Sequence, residues 1–131
     1  VNADGERAVL EARADSPNAG NPVAALATTT KFVGGATFGA TPGITGGKGV
    51  NNTGLLVKIS GKVTRGYGDG FCLDDGSTLV DEAGNTGIKI VTGASGLAYE
   101  NANVTVTGVV SCHKVGSTVY PQIVARDVVT H

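Results

Sequence analysis

Apolar and polar residues alternate along the second half of the chain. In Leu55–Thr64 (LLVKISGKVT), Val57, Ile59, Gly61 and Val63 fall on one side and Lys58, Ser60, Lys62 and Thr64 on the other. A period of two with one apolar face predicts a β-strand with a buried side. Four further runs have strand composition: Phe71–Ser77 (FCLDDGS), Gly87–Val91 (GIKIV), Asn103–Cys112 (NVTVTGVVSC) and Pro121–Val129 (PQIVARDVV). Turn signals lie between them, at Arg65–Gly70, Asp75-Gly76 and Ala83-Gly84-Asn85. Gly61, in mid-strand, suits a strand coiled tightly enough to pair on both sides of a closing barrel. Thr92–Ala102 should cross one end of that barrel, with a short helix candidate over Leu97–Glu100.

The order and spacing of the five strands suggest an all-β fold, a five-stranded Greek-key barrel of the oligonucleotide/oligosaccharide-binding (OB) type over residues 55–131. Two zones precede it. Residues 1–30 are Ala-rich and carry Pro17 and Pro22. Within them, Glu6–Asp15 has helix-forming composition but alternates like a strand, with Ala8, Leu10, Ala12 and Ala14 on one side. No obvious partner lies nearby in sequence, so this zone reads as an extended arm. Residues 31–54 hold eight glycines, interspersed with Phe32, Val33, Phe38, Ile44 and Val50. Flexible linkers lack such apolar anchors, and the segment is expected to be an ordered wrap docked on the barrel wall.

Composition narrows the picture. A chain of 131 residues normally forms one domain. With 40% hydrophobic residues, only 5% aromatic, and no Trp or Met, the core must come from Val, Ile, Leu and Ala. The net charge of −1 and the absence of a basic stripe disfavour nucleic acid as a partner, because phosphate binding needs clustered Lys and Arg. No run approaches the ~20 apolar residues of a membrane span. The chain starts at Val1 without any Met, and the expectation drawn from this is cleavage of a secretory signal.

From Gly43 onward the chain resembles OB-fold domains of bacterial secreted and cell-surface proteins. The resemblance is carried by Gly43-Ile44-Thr45-Gly46-Gly47, Asn51–Val57 (NNTGLLV), Gly61–Thr64 (GKVT), Phe71–Ser77, Gly87–Ile90 and Val104–Gly108 (VTVTG). It covers about two-thirds of the chain. It implies the fold and an extracellular, cell-surface location, and it brings no catalytic residue. In tandem members the Gly-rich segment joins one barrel to the next, whereas here it follows only a thirty-residue arm.

Candidate chemistry is sparse. Cys72 and Cys112 lack the spacing of a zinc site. In a secreted chain a disulfide is the expectation, worth ~4 kcal/mol in the chain-entropy model. Alternation sets Cys72 opposite Phe71 and Leu73 but Cys112 in phase with Val106 and Val110, so the pairing requires a bulge near Gly108 or a bend. Free thiols or a bond between subunits are the alternatives. Asp74, Asp75, Asp81 and Glu82, with Asn85, offer oxygen ligands for Ca²⁺, but their spacing departs from the EF-hand pattern and turn-stabilising roles are preferred. No metal or other cofactor is expected. His113 and His131 read as solvated. Asn51 and Asn103 each begin an N-x-Thr match of low specificity.

Two functions compete. The leading one is structural and non-enzymatic: the arm adds to the sheet edge of another copy, head-to-tail, and builds a filament or surface layer. Ala8, Leu10, Ala12, Phe32, Val33 and Phe38 would carry those contacts, and removal of residues 1–30 should leave a folded monomer. The alternative is a binding module for carbohydrate or single-stranded nucleic acid on the outer wall, using Lys58, Lys62, Tyr67, Lys89 and Tyr120. An enzyme ranks third, since no set of nucleophile, acid and base stands out.

Overall fold

A computed structural model describes residues 23–93 and 99–131. The expected helix candidate lies largely on residues outside that range, as do Ala8, Leu10 and Ala12.

The fold is all-β: a closed five-stranded barrel plus one extra strand. The strands are β1 (Leu26–Ala27), β2 (Leu56–Tyr67), β3 (Gly70–Asp74), β4 (Ile88–Val91), β5 (Asn103–Val115) and β6 (Thr118–Thr130). The sheet order is β1-β2-β3-β4-β6-β5, and β5 returns to pair with β2, which closes the barrel. All neighbours are antiparallel except β1–β2 and β4–β6. The five expected strands occur in the expected order, and β2, β5 and β6 run several residues longer than their apolar cores.

The interior contains the β2 face read from the sequence, Val57, Ile59 and Val63, and the other strands complete it. Val57, Ile59, Val63, Phe71, Leu73, Ile88, Ile90, Val104, Val106, Val110 and Ile123 form one buried cluster. β-branched residues dominate it because they fit a pleated, half-buried surface. Gly61 occupies the point where β2 passes between β5 and the end of β3. A Cβ there would stand 2.5 Å from the Asp74 carbonyl oxygen, so the barrel closes this tightly only without a side chain.

The stretch before the barrel is part of it. β1 pairs in parallel with β2, Leu26 opposite Val57, and the Thr28 N–H donates to the Lys58 carbonyl at 3.1 Å. A turn of 3₁₀ helix, Thr30–Phe32, follows. Thr30 is buried and gives both its N–H and its hydroxyl to the Asp75 carboxylate, at 2.7 and 2.6 Å. Val33, expected at an intermolecular contact, is instead fully buried in its own barrel's core. β1 and Thr30 therefore belong with the barrel rather than with a removable arm, because truncation at 30 would take away the two bonds that Thr30 gives Asp75.

The Gly-rich segment is an ordered wrap. Asn52 staples it, accepting from the Gly34 N–H at 2.8 Å and donating to the Phe32 carbonyl at 2.7 Å. Thr45 ties it to β6, its N–H bonding the Val119 carbonyl at 2.9 Å and its hydroxyl accepting from the Val119 N–H at 2.8 Å. Gly35 adopts φ +65°, and a Cβ there would fall 2.1 Å from the Val50 carbonyl oxygen. Two strands of the wrap touch backbone to backbone at that point, which only glycine permits.

The expected disulfide is absent: Cys72 and Cys112 are free and buried. The register explains why. The shift between β5 and β6 at Thr107/Gly108 places its extra residue at Arg126 of β6, since Thr107 faces Asp127 and Gly108 faces Ala125. β5 itself alternates without interruption, so Cys112 keeps the phase of Val106 and Val110 while Cys72 lies on the opposite side of its strand from Phe71 and Leu73. The bulge that would have reconciled the two thiols is on the wrong strand.

Candidate functional site on the outer wall

The β2–β3 hairpin brings Tyr67 back beside Cys72: Tyr67 faces Gly70 in register and Arg65 faces Cys72. Cys72 in turn faces Lys89 of β4, and Lys89 faces Gln122 of β6. One row of outward side chains thus crosses three strands. The turn over residues 81–85 folds down onto it. Its head is Asp81, nearly fully buried, whose Oδ1 accepts from the backbone N–H groups of Ala83 at 2.9 Å and Asn85 at 2.7 Å. This is the side-chain-to-backbone turn typical of Asp.

The other carboxylate oxygen of Asp81 faces the wall. It accepts from the Tyr67 hydroxyl, from the Cys72 thiol at 3.2 Å and from the Asn85 amide at 2.9 Å. Asn85 Nδ2 also donates to the Tyr67 oxygen at 2.7 Å. Burial alone would raise the Asp81 carboxyl. The bonds from Tyr67, Asn85 and Cys72 outweigh it and hold the pKa at about 2. Burial raises the Cys72 thiol, and the Asp81 and Glu82 charges add to that against an opposing bond from Tyr67, leaving it at about 12. Burial followed by the Asp81 bond pushes the Tyr67 phenol well above its ordinary value. The result is one anion clasped by three neutral side-chain donors, and a thiol held protonated is a poor nucleophile.

A second group adjoins the first through Glu82. Its carboxylate lies 3.0 Å from His113 Nε2, and the His113 ring stacks on Tyr120 with centroids 5.6 Å apart. The Lys89 ammonium sits 5.7 Å from the centre of the Tyr67 ring and 3.2 Å from the Asp69 carboxylate. The structure thus places Tyr67, Lys89 and Tyr120 on one wall. Lys58 and Lys62 lie elsewhere: Lys58 is opposite Thr107 and Ala27, and Lys62 is opposite Asn103. The five residues form no single patch.

The four carboxylates read as a weak calcium candidate are dispersed into separate tasks. Asp74 bonds the Gly76 N–H at 2.9 Å, Asp75 holds Thr30, Asp81 holds the turn and Glu82 pairs with His113. Among the described residues no group of three or more His, Cys, Asp or Glu side chains is placed to hold a metal ion. His113, read as solvated, is mostly covered and paired. The Asp81–Asn85 lid was missed as a unit. Its signal was present in the Asp-x-x-Gly-Asn spacing, but which wall residues it covers depends on the hairpin register.

Away from this wall, the wrap presents an apolar groove of about 430 Å³ lined by Ala36, Thr37, Phe38, Gly49, Val50 and Asn51. Phe38 is 79% exposed and Val50 85% exposed. Phe32, Val23 and Leu26 are exposed as well. These side chains project from backbone that the glycine contacts and the Asn52 staple hold in place.

No family profile, curated protein or solved structure matches this chain.

Proposed function

We propose that the chain is a non-enzymatic structural subunit of an extracellular assembly, joining other copies through its N-terminal segment and the wrap. The single observation behind this reading is the set of large apolar side chains exposed on an ordered scaffold, led by Phe38 and Val50. Exposed apolar side chains grouped on rigid backbone mark interaction surfaces. The polar wall offers little by comparison, because the Tyr67, Cys72 and Asn85 donors are taken up by Asp81. Phe32 and Phe38 remain candidate contacts, together with Val50, Val23 and Leu26. The surface location follows from the sequence resemblance.

Light scattering of the full chain over a concentration series tests this. Species larger than a monomer are expected at high concentration, and Phe38→Asp with Val50→Asp should return the chain to monomer with its fold intact. Monomer at every concentration defeats the reading.

The rival reading, a carbohydrate-binding wall, is favoured by the Tyr120–His113 stack and by Lys89 beside Tyr67. It requires saturable glycan binding that Tyr120→Ala weakens. For single-stranded nucleic acid, affinity should also fall steeply with salt.

A further inference from the structure

Among the described residues several strand sides lack a ladder partner, and two of them lie on opposite flanks of one sheet. β4 pairs with β6 only as far as Val91 opposite Val124, while β6 continues to Thr130 along β5. β3 pairs with β2 only from Lys62 onward, leaving Val57 and Lys58 to pair with β1. Around Thr107 and Gly108 of β5 the wall is therefore a four-stranded sheet in the order β1-β2-β5-β6. Among the described residues, the outer side of β1 and the side of β6 away from β5 have no ladder partner over Ala125–Thr130.

The direction of the free groups follows from one bond. The His131 N–H donates to the Asn103 carbonyl of β5. Backbone groups alternate sides along a strand, so Val129 and Asp127 also face β5, and Thr130 and Val128 present their N–H and C=O groups outward. Beside that edge is a cleft of about 180 Å³ lined by Thr92, Ala125, Arg126, Asp127 and Val128. Ala125 and Val128 are half-buried and pack against the core. The edge thus combines unpaired backbone with a shallow apolar floor, the two features that strand addition uses.

We infer that the Ala125–Thr130 edge of β6 is the acceptor for the N-terminal segment of a second copy, whose Glu6–Asp15 stretch adds as a further strand. This rests on the assembly reading above and names its docking site. The occupant is argued from the sequence ahead of β1. Ala8, Leu10, Ala12 and Ala14 alternate on one side, and small side chains suit the shallow floor of Ala125 and Val128. Pro17 and Pro22 lie between this stretch and β1 in the sequence, and proline disfavours a central strand, so the sequence disfavours one continuous strand running from Glu6 into β1. Twenty-two residues precede Val23, a reach of up to ~70 Å at ~3.3 Å per residue. Donor and acceptor leave from opposite flanks of the same sheet, so each copy can give to one neighbour and receive from another, which is a heterologous contact that propagates. A sister barrel fastened in this way is also brought against the exposed Val23 and Leu26 beside β1.

Amide hydrogen exchange and light scattering on the full chain test the inference together. In assembled material the Val128 and Thr130 amides should exchange at least ten-fold more slowly than in dilute monomer. Leu10→Asp should abolish both the protection and the assembly, and Thr130→Pro should weaken assembly at least ten-fold while the core amides stay protected. If assemblies form but these amides exchange freely and both variants assemble like the parent, the acceptor lies elsewhere and the inference fails while the assembly reading stands. Monomer at all concentrations overturns both, including the case of a monomer with protected amides, where the segment adds to its own barrel.

Discussion

Asp81 is the most heavily bonded side chain of the outer wall, and its behaviour can be stated in advance. Its carboxyl titrates at about 2 in the folded state against an ordinary 3.8. Between those values the unfolded chain binds the extra proton, so stability rises with pH there. The contribution, about 2 kcal/mol, is complete above pH ~4 and is lost as the pH falls through about 2. Urea unfolding at a series of acid pH values should show this limb, and Asp81→Asn should flatten it and cost about 2 kcal/mol at neutral pH. Cys72 supplies a second check. A buried thiol with its pKa at about 12 should resist a thiol reagent until the chain unfolds, and the buried Cys112 should do the same. Because the two cysteines are unpaired, added reductant should leave the midpoint of thermal unfolding unchanged.

Among the elements, β2 carries the largest constraint. It pairs with β5 over its first half and β3 over its second, and Gly61 is near the crossover. Gly61→Val should destabilise by more than ~2 kcal/mol, since the added side chain meets the Asp74 backbone rather than a movable group. Chemical denaturation would measure this, and Ser60→Val, on the exposed side of the same strand, is the control. The Thr30–Asp75 clamp tests the assignment of the preceding segment to the barrel. Thr30→Ala removes a hydroxyl bond to a charged acceptor and should cost roughly 1.5–3 kcal/mol. A change near zero would mean that this segment does not hold to the wall. How much of this was legible varied by element. Alternation and strand composition placed the five barrel strands, and β2 buries the face that its alternation marked. β1 was not legible, because Leu26-Ala27 is too short to carry a period and its pairing to Val57 and Lys58 is long-range.

At the scale of the whole molecule, a closed barrel supports the more exposed parts. Its outer wall seals a polar cluster beneath the 81–85 turn, its wrap displays Phe38 and Val50, and among the described residues its sheet leaves unladdered edges on opposite flanks. Assembly is the activity proposed for those surfaces, and Phe38→Asp with Val50→Asp is the substitution that should reduce it without touching the core.

The sequence by itself determined the fold class, the strand order, the inward face of β2 and the ordered character of the Gly-rich wrap. Those properties depend on local periodicity and on which side chains leave water, both of which are written in neighbouring residues. Tertiary structure alone decided the rest. It placed Val33 in the core and Thr30 on Asp75, put the bulge at Arg126 rather than on β5 and so kept the cysteines apart, and divided the four acidic residues among separate partners. Each of these outcomes joins positions far apart in the chain through a register, and a shift of one residue would move every side chain to the opposite face.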